Sequence, residues 1–149
     1  MSNRSDLPPN QLSAITDQIP VLWSVVIVLG ALLMAAGAVI ALLHPVMLVS
    51  PHDEINGAVR IYAGYFASRN AAFAIMLLAL LVLRARVPLG NLMVLVALVQ
   101  FIDAFIDCAE GRWTIVPGVL LLGVLFSIGA ARLTAHPFWK REAWIPSDY

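Results

Sequence analysis

Gln100, Asp103, Asp107 and Glu110 recur at spacings of three, four and three within VQFIDAFIDCAEGRW, residues 99–113. On a helix of 3.6 residues per turn all four fall on one face. Side chains of these types can hold a proton, pair with a cation or grip the polar end of a ligand. The cation on offer is Arg69, which stands beside Asn70 in GAVRIYAGYFASRN, residues 57–70. Tyr62, Tyr65 and Arg69 are themselves spaced three and four apart, so two phenols share a helix face with the guanidinium. Arg60 lies about half a turn round from Arg69 and near the end of the segment, where it can extend to the membrane surface or meet Glu110.

The elements that carry these groups are those of a membrane protein. The 149 residues are 61% hydrophobic and 12% charged, with a mean hydropathy of +0.89; a soluble domain is about 45–50% apolar. Zero net charge and scattered Lys and Arg leave no basic footprint for nucleic acid. The lone Cys108 excludes an internal disulfide and a Cys-x-x-Cys redox pair.

Four apolar segments follow one another, at about 21–43, 56–83, 89–109 and 115–133. Each approaches the roughly 20 residues needed to cross a bilayer. The first is too long for the core of a cleavable signal and is read as a retained span. Residues 1–20 read as a solvated tail, 44–54 as a connection, 84–90 as a short turn, and 134–149, rich in Trp, Phe, Lys and Arg, as an interfacial tail. The expected fold is an all-α, antiparallel four-helix bundle integral to the membrane. Arg4, Arg84, Arg86, Arg132, Lys140 and Arg141 fall on the side of the termini and only Arg60 and Arg112 on the other, which puts both termini in the cytoplasm.

Register then pairs the charges. Counted from the middle of the 84–90 turn, Arg69 and Asp103 are each about 17 residues away, so both sit roughly 25 Å along the hairpin. That is about 9 Å inside the outer boundary, where an ionisable group wants a partner.

Several roles fit such a cluster. It can be a packing device that fixes which helices meet. It can form an outward-facing pocket for a small amphipathic or lipid-like molecule, lined by Arg69, Tyr62, Tyr65, Asn70, Gln100, Asp103, Glu110 and Arg60. It can support acid–base catalysis by Asp107, Glu110 or Asp103 with Arg69 stabilising negative charge. A metal would have to draw on His44, His52, Asp53 and Glu54 with Asp107 and Glu110, but these lack a ligand spacing, and no metal or cofactor is expected. Proton-coupled transport lacks the inverted repeat and broken helices of carriers. Ala31, Ala35, Gly37, Ala41, Gly118 and Gly123 are close-packing positions, leaving open a homo-oligomer or a membrane complex. The expected partners are membrane lipid and a small hydrophobic ligand.

The stretch 57–111 resembles the core of DoxX-like four-helix bacterial membrane proteins, through Arg60, Gly64 and Arg69 on the second helix and Asp103 and Asp107 on the third. The resemblance extends over roughly 57–133 and implies a four-helix bundle in the bacterial inner membrane. Asn70 departs from the commoner acidic residue after the second arginine. No reaction is implied, since fold does not fix function.

Overall fold

The computed structural model describes residues 19–49 and 56–134. The 1–18 stretch, the loop acids with His52, and the expected interfacial tail from residue 135 lie outside the described residues. The chain forms four helices: α1 (Val21–Leu43), α2 (Gly57–Val82), α3 (Arg86–Ala109) and α4 (Val116–Leu133). All four are long and apolar enough to cross a membrane.

Local chemistry sets the helix ends. The Asn56 side chain accepts a hydrogen bond from the Val59 N–H at 3.1 Å, capping α2. Helix α3 starts at Arg86, three residues ahead of the expected start at 89. Pro88 falls in its first turn, where its missing N–H breaks no hydrogen bond, and the Leu89 N–H already donates to the Ala85 carbonyl at 2.9 Å. Pro117 occupies the equivalent first-turn position of α4.

Helices α2 and α3 end in the same way. The Ala85 N–H reaches back to the Leu80 carbonyl and the Arg84 N–H to Leu81, around Arg84 at φ 53°. The Arg112 N–H reaches the Asp107 carbonyl and the Gly111 N–H reaches Cys108, around Gly111 at φ 71°. Both are Schellman endings, which satisfy carbonyls that a helix terminus would otherwise orphan. The left-handed residue suits glycine at 111 and is strained for arginine at 84. After α1, a single 3-10 turn, Pro45–Leu48, redirects the chain.

Packing divides the bundle into two tight pairs, α1 with α2 and α3 with α4, joined by thinner α2–α3 and α1–α4 seams. The main core draws on all four helices, with Ile27 and Met34, Leu77, Leu89, Met93 and Val96, and Phe126 and Leu133. It occupies the half of the bundle nearer the turn at Arg84. Close approach is bought with glycine: a Cβ at Gly30 would overlap the Phe126 ring, and one at Gly90 would overlap the Thr134 methyl. Beyond this core only a small cluster of Ala38, Ala41 and Ala67 remains, with Phe66 and Ala71 against it. Large apolar side chains such as Leu22, Leu29, Leu33, Leu42, Phe105 and Leu121 cover the exterior. Such a surface is stable in hydrocarbon rather than in water.

Candidate functional site

Where the large-residue core ends, polar side chains take its place. The buried stripe of α2 is Ala63, Ala67, Asn70, Ala74 and Leu77, and that of α3 continues through Gln100, Ala104 and Asp107. Asn70 is 7% exposed, Gln100 9% and Asp107 9%. Asn70 and Gln100 are each about 15 residues from the turn at Arg84 and Ala85, so both lie roughly 22 Å along their helices. They belong to one layer.

Arg69 and Asp103 lie in the same layer, on the flanks of these stripes. Arg69 Nη2 donates to Asp103 Oδ2 at 2.8 Å, the contact to which the register count leads. Both side chains are half-buried. The guanidinium also rests on Phe66, its carbon 5.4 Å from the ring centroid. Phe66 in turn packs on the alanine cluster that joins α1 to α2. The result is a continuous path from α1 through Phe66 and Arg69 to Asp103 on α3, across the thin α2–α3 seam.

Sequence spacing placed Phe66 three residues from Arg69, which is the signal that could have found it. Its role went unread because an apolar residue in an apolar span is not distinctive.

Asp107 has a partner as well. Arg112 Nη1 lies 3.2 Å from Asp107 Oδ1. The ending around Gly111 folds residue 112 back over residue 107, so the two charges meet across one turn. Glu110 is exposed at the end of α3, and among the described residues neither it nor Arg60 makes an ion pair. Arg60 instead lines a cleft of about 300 Å3 with Ala41, Leu42, Leu43, Pro45 and Ala63, on the α1 side of α2.

Tyr62 and Tyr65 are 72% and 67% exposed. They stand on the exterior of the bundle and line neither this cleft nor the larger one between α2 and α3. The helix period relates them to Arg69 but does not say which side faces inward, and alanines hold the inner side of α2. No group of three His, Cys, Asp or Glu side chains comes together to hold a metal among the described residues.

The hydroxyls and amides of the spans behave differently. Ser68, Ser127 and Thr134 each donate to a carbonyl three or four residues earlier, at 3.0, 2.9 and 3.0 Å. This is how a hydroxyl is satisfied inside an apolar helix. Asn70 and Gln100 are too long for that return, and neither makes a hydrogen bond among the described residues. Their amide atoms keep some accessible surface, whereas Arg69 Nε is buried without an acceptor. One carboxylate oxygen thus answers the guanidinium while three polar groups beside it retain hydrogen-bonding capacity.

No family model matches the chain, and neither a curated protein nor a solved structure is detectably similar to it.

Proposed function

We propose that this chain is a four-span, antiparallel protein of the bacterial inner membrane, with both termini in the cytoplasm, that binds a small amphipathic or lipid-like molecule at the Arg69, Asn70, Gln100 and Asp103 layer. The observation that carries the reading is Arg69 Nε, buried without an acceptor, beside the amides of two largely buried residues, Asn70 and Gln100, that make no hydrogen bond among the described residues. Leaving a buried donor such as Arg69 Nε unmet costs about 1–3 kcal/mol. A ligand with a carbonyl, hydroxyl or carboxylate head would meet the amides and Arg69 Nε together, while its apolar part stayed among Ala38, Ala67 and Ala104. Access from the outer side follows from the depth of the layer and from the excess of arginines at the opposite end. The meeting of Gly90 with Thr134, of Phe101 with Gly123 and of Met93 with Gly129 supports opposite directions for α3 and α4. The DoxX-like spacing of Arg60, Gly64, Arg69, Asp103 and Asp107 agrees with this architecture.

A structural role for the ion pair has its own supporting observation, since Arg69 and Asp103 join the two helix pairs at a thin seam. Catalysis has less to draw on, because Asp103 and Asp107 each hold an arginine.

The test is native mass spectrometry of the protein extracted in mild detergent, beside Asn70→Leu and Gln100→Leu. A bound molecule retained by the native chain and lost from both variants is expected. A preparation that is empty, or variants that retain the same adduct, would overturn the reading.

A further inference from the structure

A second site lies on the same seam, nearer the turn. Between α2 and α3 a cleft of about 500 Å3 is lined by Met76 and Leu80 on one side and on the other chiefly by Pro88, Leu92, Leu95 and Leu98, with Asn91 its one polar residue. Its walls are almost wholly apolar, and Met76 and Leu95 are open to the exterior. The ten-step rise from Pro88 to Leu98 spans about 15 Å. That is half of the roughly 30 Å hydrocarbon thickness, the depth reached by one leaflet's chains. The cleft stops short of the polar layer, with Leu98 about 7 Å below Asp103 along α3.

Beyond Pro88, at its other end, comes the turn that carries the exposed Arg84, and Arg132 lies exposed in the last turn of α4 at the same end of the bundle. Arg84 holds φ 53°, where an arginine backbone is strained and glycine is favoured. A side chain kept there at an energetic cost suggests a use for its charge. The combination is an apolar slot one leaflet deep with the exposed Arg84 beyond one end.

We infer that the α2–α3 cleft holds an acyl chain of an anionic phospholipid from the leaflet on the side of the 84–90 turn, with its phosphate at Arg84. Phosphate meets fixed positive charge at the mouth and the chain fills a slot that the thin seam leaves open. The inference rests on the membrane-spanning reading of the helices, and not on what the Asn70 and Gln100 layer binds.

The experiment adds back palmitoyl-oleoyl phosphatidylglycerol or the phosphatidylcholine of the same chains to delipidated full-length protein, and counts bound lipid by native mass spectrometry. Preference for the anionic lipid by about five-fold is expected, the weight of one arginine near a charged surface. Leu95→Trp, on the cleft's open rim, should fill the slot and abolish retention of either lipid. Arg84→Gly should erase the preference while the lipid-free protein unfolds at the same or a higher temperature, which separates lost binding from lost folding. Asn70→Leu should leave retention and preference unchanged, so failure of the polar-layer reading remains distinguishable. Equal retention of both lipids by the native chain, or undiminished retention by Leu95→Trp, would overturn the inference.

Discussion

Arg112 holds Asp107 twice: its guanidinium lies 3.2 Å from the Asp107 carboxylate, and its backbone N–H donates to the Asp107 carbonyl at 2.8 Å. The second contact belongs to the helix ending and the first grows out of it. This carboxylate in an apolar span is therefore part of the way α3 stops. Substituting Asp107→Asn keeps the backbone contact and removes the charge pair. The partly exposed pair should be worth no more than about 1 kcal/mol, read as a small drop in the thermal unfolding midpoint in detergent. A collapse of the fold would mean that Asp107 does more than terminate its helix.

The Arg69 and Asp103 contact should behave as a coupled pair. In a double-mutant cycle of Arg69→Met and Asp103→Leu, the interaction energy should be about 1–2 kcal/mol, between surface pairs and fully buried ones. The exchange Arg69→Asp with Asp103→Arg distinguishes roles. Recovery of both stability and ligand retention would make the pair structural; recovery of stability alone would leave Arg69 as a ligand contact.

Replacing the unmet amides separates stability from binding. Asn70→Leu and Gln100→Leu should each leave the ligand-free protein about as stable as before, because neither amide makes a hydrogen bond among the described residues that the change would break. Both should lose the retained molecule. A large loss of stability would indicate that the amides have partners within the fold.

The two helix endings make opposite predictions from the same geometry. Arg84→Gly should raise stability by about 1 kcal/mol and Gly111→Ala should lower it by about the same, since each concerns one left-handed residue. Chemical denaturation of the two variants in one detergent checks both signs.

Close approach can be tested at two glycines. Gly30→Ala forces its Cβ into the Phe126 ring and should cost about 1–3 kcal/mol, whereas a Cβ at Gly64 meets nothing within 4 Å. Gly64→Ala should therefore be neutral or slightly stabilising through its higher helix propensity. Equal effects at the two sites would count against the α1–α4 contact.

The sequence by itself determined a good deal. Four apolar runs of spanning length appear as four helices, with the largest shift in a start being three residues at Pro88. The pairing of Arg69 with Asp103 was also legible, because a short turn and a rise of 1.5 Å per residue fix which positions come level. What only the tertiary structure decided is which side of each helix faces inward. In water the apolar face of a helix marks the core, but a span in hydrocarbon is apolar on every side and its periodicity carries little direction. Tyr62 and Tyr65 accordingly point outward while Ala63, Ala67 and Asn70 face in, and Phe66 supplies the aromatic surface beneath Arg69. The partner of Asp107 was hidden for a different reason: Arg112 reaches it only through the left-handed Gly111, and a contact made by a backbone reversal does not follow from helical spacing.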